Sequence, residues 1–173
     1  MIRSDDGKVL MDINRNYHMP LCHHFKCNGD DWVLSGHSYV SPVLINLTTE
    51  KTYEQRADQY CSTELIWWSV EASPDGQTLL ASGFVWGGFP DEYRFYDFSR
   101  PDQGFRLLPL ELCLVIPEED HPFPEWHLDE GNNNTVTLVA ELESQNDSIF
   151  RFVLRREGDR MVELHRTPVK KKE

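Results

Sequence analysis

The chain has 173 residues, of which 39% are hydrophobic and 12% aromatic, and a formal net charge of −12. This length and composition suit one folded domain with a substantial core and exclude a disordered acidic tail. So negative a charge argues against a protein that coats nucleic acid, because phosphate binding requires clustered Lys and Arg.

Short runs rich in Val, Ile, Leu, Thr and aromatic residues recur along the chain, each bounded by Gly, Pro, Asp or Asn. Such runs predict β-strands, and helical periodicity is almost absent, so we expect an all-β fold. The predicted strands cover residues 8–13, 32–36, 39–47, 51–55, 65–72, 77–85, 92–98, 105–110, 125–129, 135–142, 148–155 and 160–165.

These runs fall into three groups of four, near residues 8–55, 65–110 and 125–165. The third run of each group contains a similar apolar segment, at Leu44, Phe95 and Phe150, at a spacing of roughly 50 residues that is typical of propeller blades. We therefore predict a single domain over residues 1–173, built from three four-stranded antiparallel propeller-like sheets that form an open or partial propeller. The alternative is a β-sandwich or barrel without repeats.

The start of the chain has no apolar segment of the kind found in signal peptides. The longest apolar stretches are also too short for a transmembrane helix, which needs about 20 residues. We therefore expect a cytoplasmic protein that does not associate with membranes and whose cysteines stay reduced.

The first group contains a segment rich in possible metal ligands: His18, Cys22, His23, His24 and Cys27. The separation of the two cysteines is close to the spacing usual in zinc loops. A second Cys or His pair does not follow at the usual distance, so we favour an ordinary loop with buried thiols and expect no metal or cofactor.

The second group carries the turn Ser73-Pro74-Asp75-Gly76. Pro presets φ at the first corner, Asp accepts backbone hydrogen bonds, and Gly is expected in the left-handed conformation. With the pair Tyr96-Asp97 that follows, residues 65–110 resemble one blade of the WD-repeat and related β-propeller families, and they also look like a group of uncharacterised propeller-like proteins. Groups one and three lack this turn. The resemblance implies a propeller-like fold and no chemistry.

An aromatic hairpin is predicted where residues 84–93 turn at Gly87-Gly88. Trp86 and Phe89 flank the two glycines, and Tyr93 follows in the next strand. Exposed aromatic residues on loops are typical anchors for a partner protein, so we predict a partner-binding site formed by Trp86, Phe89 and Tyr93. The alternative is that these rings cover the core of their own sheet.

Carboxylates lie beside imidazoles in the linker between groups two and three and at the start of group three. The two stretches are residues 118–121 and 125–127. An acid–base pair needs a desolvated pocket and a perturbed pKa, and adjacency in sequence shows neither, so we interpret both stretches as solvated. No Gly-x-Ser-x-Gly nucleophile motif or phosphate-binding glycine loop is present.

These patterns together predict a non-catalytic module that binds another protein. The acidic surface favours a basic partner, with no nucleic acid involved, and a homo-oligomer could complete the ring. The alternative is a small hydrolase or metal-dependent enzyme, with His18, Cys22 and His24 meeting acids from residues 118–120.

Overall fold

The computed structural model describes residues 2–3, 7, 9–11, 23–38, 41–54, 65–85, 90–118, 121–128, 134–142 and 148–169. Apart from a single 3-10 turn at Pro101–Gln103, every regular element in these residues is a β-strand. The prediction of an all-β fold is confirmed.

Fifteen strands are present in the described residues, and all of their pairings are antiparallel. They are β1 (Ile2–Arg3), β2 (Val9–Met11), β3 (His23–Cys27), β4 (Asp30–Ser38), β5 (Ser41–Asn46), β6 (Lys51–Glu54), β7 (Leu65–Ala72), β8 (Thr78–Val85), β9 (Asp91–Asp97), β10 (Arg106–Leu108), β11 (Leu114–Val115), β12 (Glu125–Leu128), β13 (Asn134–Leu142), β14 (Ile149–Glu157) and β15 (Arg160–Pro168).

The first group is a four-stranded sheet in the order β3-β4-β5-β6. Its first strand differs from the prediction, because the run at 8–13 instead contributes β2, which pairs with β1 in a separate sheet. The segment interpreted as a loop supplies β3. There Phe25 and Cys27 are buried while His24 and Lys26 are exposed, which is the alternation of a strand with one face in the core.

The second group forms β7-β8-β9-β10 and the third forms β12-β13-β14-β15, but these are not the separate sheets predicted. The two-residue strand β11 pairs with β9 on one side and β13 on the other, so both groups belong to one sheet of nine strands. Leu114 lies opposite both Tyr93 and Leu142. These two short pairings join the two groups into one sheet.

Two strands of the second group, β8 and β9, are buried on both faces. On β8, Leu79 and Ala81 belong to a core shared with the first sheet, whereas Leu80 belongs to a second core shared with the third group. On β9, Tyr96 and Phe95 divide in the same way. Because successive side chains of a strand point to opposite faces, the second group lies between the other two.

The turn between β7 and β8 is held by its own polar groups. The Ser73 hydroxyl donates to the Asp75 carboxylate at 2.6 Å, and the Gly76 N–H donates to the Ser73 carbonyl at 2.8 Å. Gly76 has φ of +66°, which confirms the predicted left-handed conformation. A Cβ at this position would overlap the side chain of Asn28, so the turn also packs closely against the first sheet.

Gly76→Val is expected to lower the free energy of unfolding by about 1–3 kcal/mol, because a β-branched residue is strained at positive φ. Gly158→Val is the matched control, since Gly158 has φ of +64° and a Cβ there would meet nothing within 4 Å. Urea denaturation should show a larger loss for Gly76→Val, because Asn28 must also move. Equal losses would contradict the close packing of the turn, and an unchanged protein would contradict its strain.

Candidate functional site

A cavity of about 210 Å³ lies on one face of β7, β8 and β9, beneath the linker between the second and third groups. The strands form its floor, and Ile116, His121, Phe123 and Pro124 form the facing wall. The cavity lining includes Tyr93, one of the predicted binding residues. It also includes His121, from the first of the two stretches in which carboxylates lie beside imidazoles.

A β-bulge in β7 places Trp68 at this cavity. Trp67 pairs with Gly83 and Ser69 pairs with Ser82, which leaves Trp68 as the extra residue between them. Trp67 therefore points into the core shared with the first sheet, while Trp68 and Ser69 both line the cavity. Bulges re-aim side chains in this way, and they are common beside functional sites.

Gly83 permits this arrangement because it lacks a side chain. A Cβ at Gly83 would overlap the backbone carbonyl of Ile66 on the neighbouring strand. A glycine within a strand commonly marks such a close backbone approach, and here it lies directly opposite the bulge.

The polar groups of the floor are partly or wholly removed from water. Burial raises the pKa of the half-buried Glu71 carboxyl. Burial and the nearby charge of Glu71 raise the pKa of Tyr93 to about 12, and the Tyr93 hydroxyl lies 3.3 Å from Nε2 of His121. A tyrosine in this state remains a neutral phenol at physiological pH, so its chemistry here is hydrogen bonding rather than proton abstraction.

Two aromatic rings mark the opening of the cavity to solvent. Trp68 is 40% exposed and Phe123 is 84% exposed, and both are among the largest exposed apolar side chains of the described residues. The Trp68 indole N–H donates to the exposed Asp91 carboxylate at 3.4 Å. The opening therefore combines apolar surface with negative charge.

The other predicted binding residues, Trp86 and Phe89, lie outside the described residues. They belong to the connection between β8 and β9, and β9 carries Asp91 and Tyr93 of the cavity. The Tyr93 ring is itself 6% exposed and packs in the core shared with the third group, so it reaches the cavity rather than the outer surface.

The last five residues of the cysteine- and histidine-rich segment, His23–Cys27, form strand β3. His18 and Cys22 lie outside the described residues, and His24 contacts Asp31 at 3.0 Å on the exposed face. The buried Cys27 thiol donates to the Gly76 carbonyl at 3.5 Å, and burial together with Asp30 and Asp75 raises its pKa to about 11. A thiol held protonated in this way is a poor ligand and a poor nucleophile. Across the part of the chain that the structure describes, no three His, Cys, Asp or Glu side chains are grouped to hold a metal ion.

The second acid–imidazole stretch lies in solvent. His127 and Glu125 are 3.8 Å apart, with 49% and 73% of their side chains exposed. Sequence reasoning missed Trp68, Glu71 and Asp91. The signal that could have found Trp68 is the Trp67-Trp68 pair itself, because successive side chains of a strand point to opposite faces and only one of the two rings can then face a given core.

Comparisons with known proteins give one informative similarity. The chain is 29% identical over 153 residues to an uncharacterized protein of Acanthamoeba polyphaga mimivirus, covering 88% of this chain and 54% of the viral protein. The chain thus spans about half the length of that relative. No family model matches the chain, and no solved structure matches it. Within the described residues, no helix is long and apolar enough to cross a membrane.

Proposed function

We propose that the chain is a non-catalytic protein-interaction module of β-propeller type, with each four-stranded group serving as one blade of an open or partial ring. The packing of the second group supports this proposal. Its strands β8 and β9 are buried on both faces against neighbouring groups, as blades require when they cannot cover two faces alone. Continuation of this stack by a second copy of the chain belongs to the same proposal.

The observation that carries the binding function is the cavity opening between Trp68 and Phe123. Large apolar rings exposed at the rim of a concave site are the usual anchors of protein recognition. The neutral Tyr93 and the protonated thiol of Cys27 offer no activated nucleophile or base. Tyr93 and Cys27 are therefore unsuited to catalysis, and the exposed rings of Trp68 and Phe123 favour binding.

The partner that this module suits is a basic protein. The net charge of −12 attracts a positive surface and speeds encounter with it. The cytoplasm, whose reducing conditions would preserve the Cys27 thiol, is the compartment that we propose for the interaction.

The test compares two double variants as baits for cross-linking capture from cytoplasmic extract. One carries Trp68→Ala and Phe123→Ala. The matched control carries Leu128→Ala and Leu164→Ala, which also remove two exposed apolar side chains, 60% and 42% exposed, away from the cavity. We expect the first variant to lose partners that the control retains. With a purified partner, its affinity should fall about 30-fold or more, since a single hot-spot aromatic residue contributes about 2 kcal/mol.

A third bait, with Trp86→Ala and Phe89→Ala, tests the hairpin residues named from the sequence, and we expect it to weaken capture as well. Equal capture by all baits, or no partner for the unmodified protein, would contradict the proposed function.

A further inference from the structure

The titratable side chains that line the cavity include two carboxylic acids, Glu71 and Asp91, and one histidine, His121. Glu71 from β7 and Asp91 at the start of β9 both line the cavity, as does Trp68, whose indole N–H donates to Asp91. None of the described lining residues is a lysine or an arginine. Two carboxylates beside an indole form a site for a cation, because the ring face attracts positive charge and the carboxylates neutralise it.

The size of the cavity restricts what can enter it. Sites for drug-sized molecules occupy about 300–1,000 Å³, whereas this cavity measures about 210 Å³. A single long side chain suits this volume, and a nucleotide or an extended peptide does not. Since the cavity opens between exposed rings, the side chain can enter while the rest of its chain stays outside.

We propose that this cavity receives one arginine side chain of a basic partner protein, with its guanidinium stacked on Trp68 and hydrogen-bonded to Glu71. This inference rests on the proposed function and names the chemistry that its site recognises.

Arginine fits these walls better than lysine does. A guanidinium is planar and stacks on an indole, whereas an ammonium is a compact, strongly hydrated charge that is harder to remove from water. Its five N–H donors can also be shared between the Glu71 carboxylate and the hydroxyls of Ser69 and Ser82, which hydrogen-bond to each other on the cavity floor. The bond from the Trp68 indole to Asp91 holds the ring that would stack.

Burial supports the pairing with Glu71. The carboxyl is half-buried and its pKa is raised, so its charged form lacks full solvation. A guanidinium would supply the missing stabilisation, and a neutral side chain of the same shape would not.

The test uses four Gly-Ser peptides that differ only in a central residue: arginine, lysine, citrulline or norleucine. Citrulline keeps the length and planar shape of arginine without its charge. Binding to the full chain is followed by calorimetry and by the NMR signal of the Trp68 indole, which is assigned from its loss in Trp68→Phe. We expect the arginine peptide to bind at least tenfold more tightly than the other three and to shift this signal.

The site variant is Glu71→Gln, and its control is Glu111→Gln, which removes the same charge from an exposed residue that does not line the cavity. Glu71→Gln should weaken the arginine peptide at least tenfold and leave the citrulline peptide unchanged, and Glu111→Gln should change neither. If Glu71→Gln fails to fold, Asp91→Asn at the exposed opening replaces it, with a smaller loss expected.

Equal binding of arginine and citrulline, equal binding of arginine and lysine, equal losses in the two Gln variants, or no shift of the Trp68 signal would each overturn the inference. Its failure is separable from that of the proposed function. Partner capture that still depends on Trp68 and Phe123 would keep the interaction module and reject the arginine. Selective arginine binding without any captured partner would keep the arginine site and reject the interaction module.

Discussion

Asp97→Ala is expected to destabilise the protein by about 3 kcal/mol, because it leaves two guanidinium groups without their shared carboxylate. The Asp97 side chain is 6% exposed. Arg156 of β14 binds its Oδ1 at 2.9 Å and Arg106 of β10 binds its Oδ2 at 3.2 Å. Arg156 also donates to the Gln77 carbonyl at 2.6 Å, so this ion pair fastens the third group to the second.

The control for this variant is Glu157→Ala. Glu157 forms an ion pair with Arg155 at 2.6 Å, but its side chain is 44% exposed. Exposed pairs contribute about 0–1 kcal/mol, so urea denaturation should separate the two variants clearly. Similar losses would show that Asp97 does not connect the groups.

The same carboxylate predicts a dependence of stability on pH. Burial alone would raise the pKa of Asp97, but hydrogen bonds from Ser99 and the Arg156 guanidinium outweigh it and lower the pKa from 3.8 to about 2. The folded state therefore favours the charged form, and its contribution of about 2 kcal/mol is present above pH 4 and lost as pH falls to about 2. The difference in unfolding free energy between the wild type and Asp97→Asn should shrink across this range. A difference that stays constant with pH would contradict the lowered pKa.

The positions of most strands can be predicted from the sequence because local patterns of residues determine them. Tyr96 and Phe95 mark opposite faces of one strand by alternation alone, and the turn ending at Gly76 has residues that fit its dihedral angles. The pairing of strands that are distant in the sequence is harder to predict. The strand β11 is two residues long, and nothing within Leu114-Val115 indicates that it pairs on both sides.

The first strand of the first sheet was misjudged for a related reason. In His23–Cys27 the alternating positions hold His24 and Lys26 on one side and Phe25 and Cys27 on the other. Cysteines and histidines at close spacing suggest metal ligands, yet the same spacing satisfies a strand. Burial of Cys27 against the Gly76 carbonyl, a contact across the first and second groups, accounts for the apolar face of this strand.

The cavity could not be predicted because it depends on two non-local features. The bulge exists only where β7 pairs with β8, and the facing wall forms only when His121 and Phe123 lie over the sheet. Of the three residues that the hairpin hypothesis names, Tyr93 is the one that lines the cavity in the described residues. Its prediction of exposed aromatic anchors stays a prediction for Trp86 and Phe89, while Trp68 provides an anchor in the described residues.

The adjacent tryptophans offer a test of how the two faces of β7 are used, because the two neighbouring rings have opposite roles. Trp67 is 1% exposed, and its ring lies 4.5 Å from Tyr96 and 5.4 Å from Phe105. Trp67→Ala should therefore lower the unfolding free energy by about 3–5 kcal/mol, the usual loss for a buried aromatic ring. Trp68 is 40% exposed and packs mainly on Phe84, at 5.0 Å between ring centroids, so Trp68→Ala should lose about 1 kcal/mol or less.

Without the bulge, strict alternation would continue and Ser69 would share a face with Trp67. The bulge instead places Ser69 beside Ser82 and Trp68 at the cavity. Denaturant melts of the two variants thus report which of the two rings lies in the core and which lies at the cavity. Equal losses would mean that both rings are buried, and the cavity would then lack the exposed indole on which partner binding depends. A large loss for Trp67→Ala alone, together with loss of partner capture for Trp68→Ala alone, would place stability and recognition on successive residues of one strand.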